Sequence, residues 1–470
     1  MRSEYRLIVG TLVTAEVCSA FESTMVFAAL GSWIRSYKDP VTVGWIVTSY
    51  LLVAGSSAAI AGRLGDMFGR RRVLMCLLLA CVIGSTVSAS ADSAAIVIAG
   101  RSIQGLAGGI LPLVYALARE HLPKDVVPVA IGIIVAGATL SGSTGLILGG
   151  LLTDNFGPNS VFWASMICAL ISLAGVWSFV PRTETARYSG RIDVTGGVLF
   201  APMIALILFG VGSGNHSGWT SPTVMGAIGA GIAGLIVWAW HELRVEEPLI
   251  DVRLLRNRDF LIANAVMFCL AVGTMQILQL FSLLLQQPVW TSVGLGLTAT
   301  MFGLMKIPSM LSGTLSSLIS GWSCARFGPR APILIGTIAT TAGLTLATFF
   351  HGSIPIIILV LITATAGTTL AYAAIPNVVM NAVPEGRTGE ATGVLAVFRS
   401  MARAIGSQVL VLLLATSTLV DPSSGAKFAA DSGYILAFIF MSATSLLALL
   451  LTLALPSERP REAPRPAAAH

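Results

Sequence analysis

The chain has 470 residues, of which 55% are hydrophobic and only 11% charged, with a mean hydropathy of +0.84. A soluble globular domain carries about 25% charged residues, so this composition excludes one and implies an all-α polytopic membrane protein. The net charge of +6 is dispersed over short segments between apolar runs, which argues against a nucleic-acid partner and for the lipid bilayer.

The apolar runs are about 18–25 residues long, enough for a helix to cross ~30 Å of hydrocarbon. None has the short alternating pattern of a barrel strand. Fourteen candidate spans follow in order: Leu7–Leu30, Gly44–Ala61, Val73–Ala91, Ile96–Ala118, Val127–Leu152, Val161–Val180, Val194–Val211, Thr223–Trp240, Phe260–Leu285, Leu297–Ser320, Ala331–Phe350, Ile354–Val379, Thr392–Leu419 and Tyr434–Leu455. Lys and Arg concentrate in alternate inter-span segments, starting with Arg2 and Arg6. The opposite segments hold only Arg35, Lys38 and Lys427. That bias places both termini in the cytoplasm. Trp33, Trp45, Trp163, Trp219, Trp290 and Trp322 fall near span ends, where interfacial anchors belong. The six cysteines lie in or beside apolar runs without a C-x-x-C pair, so they read as small buried hydrophobes.

The first span carries the two acids that lie well inside any span, Glu16 and Glu22. An intramembrane carboxylate is expensive and marks a functional position. Six residues of helix turn through about 600°, so the two acids point some 120° apart and do not share a site. Burial disfavours a carboxylate's charged form, which suits Glu22 to proton exchange. Between the second and third spans runs Gly62-Arg63-Leu64-Gly65-Asp66-Met67-Phe68-Gly69-Arg70-Arg71-Arg72. Its glycines permit a sharp turn, and Asp66 can accept from arginines or from helix N-termini. The fourth span carries Arg101, and Gln104 lies one turn on, on the same face. A buried guanidinium needs acceptors, and the first-span carboxylates are the available acids. The fifth span carries a glycine series, Gly137, Gly145, Gly149 and Gly150, suited to close helix contact. The second half of the chain has intramembrane cations instead of acids: Lys306, Arg399 and Arg403. Gln276, Gln279 and Asn377 are candidate cavity hydrogen-bonders, and Tyr50, Tyr115, Met275 and Phe281 candidate apolar lining.

Several of these runs resemble the major facilitator superfamily. The 62–72 run resembles its second-to-third-span loop, G-x-L-(G/A/S)-D-(R/K)-F-G-R-(R/K)-x, except at Met67. The resemblance implies a conformational latch of Gly62, Asp66, Gly69, Arg70 and Arg71. A decayed second copy, Gly321 to Arg330, keeps Arg326, Phe327, Gly328 and Arg330 but has Ala325 for the aspartate. Phe21-Glu22-Ser23-Thr24-Met25-Val26 resembles the first-span signature L-D-x-T-I-V of the fourteen-span drug:proton antiporter branch, with Glu for Asp. Arg101 to Gly109 resembles R-x-x-Q-G-x-x-x-A of the fourth span. The 137–150 run resembles the antiporter motif G-x-x-x-G-P-x-x-G-G, with Leu146 in the place of proline.

The resemblance implies two six-helix bundles, 1–190 and 259–456, with two inserted helices and a linker at 191–258, and a disordered tail at 457–470. It implies a proton-coupled secondary transporter exporting amphipathic organic compounds. Glu22, Arg101 and Glu16 would couple protons. Gln104, Tyr115, Gln276, Gln279, Lys306, Asn377, Arg399 and Arg403 would meet the substrate. A monomer is expected, with a small organic substrate and protons as partners and no cofactor, metal site or enzymatic activity. The cations keep open a transporter of organic anions. Loss of coupling would leave a lipid-handling or binding protein.

Overall fold

The computed structural model describes residues 3–123, 126–182, 194–245, 252–383 and 388–455. The elements are α1 (Ser3–Tyr37), α2 (Pro40–Phe68), α3 (Arg70–Ala89), α4 (Ala94–Gln104), α5 (Ile110–His121), α6 (Val127–Phe156), α7 (Ser160–Phe179), α8 (Val194–Ser217) and α9 (Pro222–Glu242). Then come α10 (Arg258–Val272), α11 (Ile277–Gln286), α12 (Ala299–Met305), α13 (Ile307–Phe327), α14 (Arg330–Phe349), α15 (Ile354–Asn381) and α16 (Thr388–Ala415). A two-stranded hairpin, β1 (Thr418–Val420) and β2 (Lys427–Ala429), precedes α17 (Asp431–Leu453). Among the described residues, 12 helical segments are long and apolar enough to cross a membrane. Outside that set, α8 contributes a shorter apolar stretch, Pro202–Gly214, and α13 is rich in serine and glycine. The expected tail, 457–470, and the linker segments 191–193 and 246–251 lie outside the described residues.

Helix boundaries follow local chemistry. The Asp39 carboxylate accepts from Thr42 N at 3.0 Å and Thr42 Oγ1 at 2.7 Å, capping α2, with Pro40 in its first turn, where a missing N–H costs nothing. Gly69, at φ +94°, turns the chain from α2 into α3, and Gly328, at φ +79°, does so from α13 into α14. The two copies of the basic loop therefore turn on a residue that tolerates positive φ.

Three expected spans are interrupted. Gly105–Gly109 tightens into a 3-10 turn between α4 and α5. A Cβ at Gly105 would lie 2.7 Å from the Tyr50 carbonyl, and one at Gly108 would strike the Ala54 backbone, so α2 passes too close for side chains there. The ninth span breaks at Gly273 and the 3-10 turn Thr274–Gln276. The tenth breaks at Lys306, with Pro308 in the first turn of α13, because proline cannot donate to the preceding turn.

Two groups of helices form the molecule. In the first, α1 packs on α6 and α7, and α3 on α4 and α7. In the second, α15 packs on α13 and α14, and α10 on α16 and α17. The groups meet through α1–α11, α2–α16 and α6–α12, and α8 and α9 pair with each other. Each group contains a glycine crossing. A Cβ at Gly84 on α3 would lie 2.7 Å from the Gly100 carbonyl on α4, and one at Gly367 on α15 would lie 2.5 Å from the Gly336 carbonyl on α14.

Some expectations change. Trp33 is no interfacial anchor. It is 1% exposed, stacks on Phe162 at 5.5 Å and donates to Asn159 Oδ1 at 3.1 Å. Its neighbours on α7 reach over that end of α1. Trp163, Trp219, Trp290 and Trp322 are exposed. Cys76 is exposed, unlike Cys18, Cys81 and Cys269. Phe281 is fully buried and packs against Phe438. The β1–β2 hairpin fills the segment between α16, which ends at Ala415, and α17. Its turn is held by Asp421, whose carboxyl sits below the usual carboxylate range through hydrogen bonds from Ser424 and Ser423.

Candidate functional site

Glu22 sits on α1, 2% exposed, where α1 faces α3 and α4. Its Oε1 accepts from Ser85 Oγ at 3.2 Å, and Ser85 in turn accepts from Gln104 Nε2 at 2.7 Å. Gln104 Oε1 accepts from Arg101 Nη1 at 2.9 Å. The same nitrogen donates to the backbone carbonyl of Glu22 at 2.9 Å, and Arg101 Nε donates to the Ile46 carbonyl at 3.2 Å. Above the guanidinium lies the Tyr50 ring, its centroid 4.1 Å from Cζ. Arg101 is 1% exposed and Gln104 fully buried.

One detail of this network matters for chemistry. Arg101 takes the peptide oxygen of Glu22, not its carboxylate; no ion pair joins them among the described residues. Each of the three acceptors of Arg101 is a neutral oxygen, so adding a proton to Glu22 breaks none of those bonds. The second carboxylate oxygen, Oε2, is buried with no hydrogen-bond partner among the described residues. The carboxyl group therefore has a site for a proton beside an arginine whose hydrogen bonds do not use the carboxylate oxygens. Arg101→Ala is expected to remove three charge-assisted hydrogen bonds and leave a void under the Tyr50 ring, at a cost of roughly 3–5 kcal/mol. The check is a markedly lower melting temperature in detergent; an unchanged one would show the network to be dispensable.

Glu16, 7% exposed, takes no part in this network, and its Oε2 is also without a partner among the described residues. One turn on, Ser19 Oγ donates to the Ala107 carbonyl at 3.3 Å. Tyr115 on α5 lies within electrostatic range of Glu16 and, across the two groups, of Tyr372. Tyr372 is hydrogen-bonded by Arg399 Nη1. Arg403 contributes its carbonyl, which accepts from Gln276 Nε2 at 3.0 Å, while Gln279 Oε1 accepts from Ser407 Oγ at 2.8 Å. Gln276 and Gln279 thus tie α10–α11 to α16. Neither Arg399 nor Arg403 has a carboxylate within ion-pair distance among the described residues. Lys306 is 5% exposed at the break between α12 and α13, with no carboxylate within ion-pair distance among the described residues. Asn377 Nδ2 lies 3.8 Å from Cys324 Sγ.

The halves are joined near one face, that of the Lys38 turn. Asp154 at the end of α6 accepts from Ala299 N at 3.1 Å, Thr300 N at 2.9 Å and Thr300 Oγ1 at 2.6 Å, holding the N-terminus of α12. A Cβ at Gly150 would lie 2.6 Å from the Ala299 carbonyl, and one at Gly303 2.9 Å from the Leu146 carbonyl. Ser282 Oγ donates to the Phe27 carbonyl, and Thr48 Oγ1 lies 3.3 Å from Ser407 Oγ and Gln408 Oε1. Gly137, Gly145 and Gly149 pack on α1 at Val13, Thr24 and Met25. On the opposite face, that of Gly69, Arg70 reaches the Ala116 carbonyl and pairs with Glu120 at 3.3 Å, and Arg71 reaches the Val176 and Trp177 carbonyls. Gly62 has open space around it, and the side chain of Asp66 lies outside the described residues.

The sequence reading missed Ser85, Tyr372 and Asp154. Ser85 sits in a Gly-Ser-Thr stretch that looks like helix packing, and Asp154 looks like a solvated span end.

The sequence profile of the Major Facilitator Superfamily matches residues 12–407. Multidrug resistance protein Stp of Mycobacterium tuberculosis is 29% identical over 80% of this chain and 70% of its own length. Multidrug resistance protein B homolog of the same organism is 32% identical over 74% of this chain, which spans 64% of that protein. A crystal structure of the nucleoside transporter NupG superimposes with a TM-score of 0.68 at 14% identity, covering 96% of this chain and 99% of NupG.

Proposed function

Since the chain belongs to the major facilitator superfamily, we propose that it is a proton-coupled secondary transporter that exports amphipathic organic compounds by alternating access. The observation that carries this reading is the Glu22 carboxyl, buried with one oxygen unpartnered among the described residues, beside an arginine that bonds its peptide oxygen instead. Relatives named as multidrug resistance proteins support export, and the span-by-span resemblance supports fourteen helices. On this reading α8 and the α12–α13 pair complete the spans. Residues 1–190 and 259–456 form the two moving bundles, and 191–258 the insert. The Gly69 face is cytoplasmic, as the excess of arginine there requires, with both termini on that side of the inner membrane and one chain as the working unit.

The contacts near the Lys38 turn then close the outer face, and the substrate is reached from the cytoplasm. Tyr115, Tyr372, Arg399 and Arg403 border its path between the bundles, and Glu16 is a second exchangeable acid there. Everted vesicles loaded with protons are expected to release them when substrate is added. Vesicles that accumulate substrate without proton movement would overturn the coupling.

A second reading rests on Lys306, Arg399 and Arg403, none of which has a carboxylate partner among the described residues, and on Leu146 in place of the motif proline. An organic anion would neutralise those cations. Lys306→Gln is expected to weaken anion transport by about tenfold or more on this reading, a loss of ~1.4 kcal/mol, and to leave export of cationic compounds within about twofold. Comparing the two substrate classes in one vesicle preparation decides between them.

A further inference from the structure

A cavity of about 500 Å³ opens on the Gly69 face, lined by Gly69, Arg71, Arg72, Met75, Trp177 and Arg182. Among the described residues, three that line it, Arg71, Arg72 and Arg182, carry a guanidinium and none that lines it is acidic. Arg71 is built into the wall: its Nη2 donates to the Trp177 carbonyl at 2.6 Å and its Nε to the Val176 carbonyl at 3.4 Å, both at the end of α7. Arg72 and Arg182 are exposed. Gly69 precedes α3 without a side-chain cap, so the first amides of that helix add positive potential at the same spot. A phosphate accepts such donors in parallel and is neutralised by them.

The surface below the cavity says which phosphate. α3 and α7 pack side by side, and their outward faces carry exposed apolar side chains. Leu79 and Ile83 are each 48% exposed, Ile167 54% and Ile171 60%. Trp177, at 69%, stands at the level of the arginines, the depth at which tryptophan marks a membrane interface. A free phosphate makes no use of this strip. A lipid uses both parts at once. We propose that the cavity holds the phosphate headgroup of an anionic phospholipid whose acyl chains lie along the α3–α7 seam. The site is separate from the Glu22 network and from the contacts between the bundles, so it stands whichever substrate the protein carries.

The test uses the full chain in detergent, followed by its melting temperature as lipid is added back. Phosphatidylglycerol is expected to raise it, and phosphatidylcholine and inorganic phosphate to leave it unchanged. The double variant Arg72→Gln/Arg182→Gln should lose the rise. Arg326→Gln should keep it, since it removes charge from the second basic loop, where Arg326 lies over Trp322 and Phe327. An equal rise in the double variant overturns the proposal, and so does a loss in Arg326→Gln as large as in the double variant. A rise with inorganic phosphate alone assigns the cavity to a soluble anion and overturns the lipid. If the double variant does not fold, the wild type in nanodiscs with a headgroup-photoreactive phosphatidylglycerol decides. Labelling is expected on the peptides containing Met75 or Trp177, and labelling spread over all basic loops sinks the idea.

Discussion

Glu22→Gln is expected to abolish export driven by a pH gradient while leaving substrate exchange across the membrane intact. The amide keeps the volume of the carboxyl and an oxygen for Ser85 Oγ, now at 3.2 Å, so the surrounding network has no reason to rearrange. Arg101 is bonded to the Glu22 peptide oxygen, Gln104 and the Ile46 carbonyl, and keeps all three. What is lost is the exchangeable proton. One charge moving through 100 mV supplies about 2.3 kcal/mol, enough for roughly a 50-fold concentration ratio. In the variant the ratio should collapse toward about one. Counterflow of labelled against unlabelled substrate should continue, because that process needs no proton. Uphill transport persisting in the variant would remove Glu22 from the coupling and pass the role to Glu16, a second buried acid on α1 whose Oε2 is without a partner among the described residues.

The second large effect concerns the contacts between α6 and α12. Asp154→Ala removes three hydrogen bonds to the start of α12. Losing a helix cap costs about 1–2 kcal/mol, which shifts a two-state population by about 5–30-fold. Gly150→Val acts by shape at the same crossing. Its Cβ would sit 2.6 Å from backbone atoms of Ala299 and Thr300, and backbone cannot swing aside as a flexible side chain can. Both variants should therefore favour the state open on the Lys38 face. Spin labels at Phe156 and Val289, 78% and 67% exposed on that face, report it as a longer mean distance. Distances that match the parent protein in both variants would show that the α6–α12 contact does not set the balance. Transport should fall in both, with Gly150→Val the more severe, since a cap can be replaced by water and an overlap cannot.

Much of the fold was legible because lipid solvation writes long apolar runs that composition alone identifies. The Glu22–Arg101–Gln104 grouping was legible for a related reason, since charged residues inside such runs are rare. The acceptor was not. Sequence suggested a carboxylate for Arg101, and the structure supplies a peptide oxygen, because α1 presents its backbone to α4 at that depth. Helix interruptions at Gly105–Gly109, Gly273 and Lys306 were likewise hidden, since glycine or proline within an apolar run is compatible with a straight or a broken helix. Trp33 shows the limit of position as a guide. It lies near the end of a span, yet Phe162 and Asn159 cover it. Asp154 shows the same limit for charge: its partners are amides of a helix about 145 residues away, and no local pattern announces them.

The paired glycine crossings, Gly84 with Gly100 and Gly336 with Gly367, carry a mechanical consequence. Backbones in direct contact leave no layer of rotamers to deform, so each bundle is stiff across its own middle. Elastic strain from a bound cargo then has nowhere to dissipate inside a bundle and is delivered to the seam between them. A single methyl added at either crossing should soften that lever and blunt the stroke, even with every ionisable group in place.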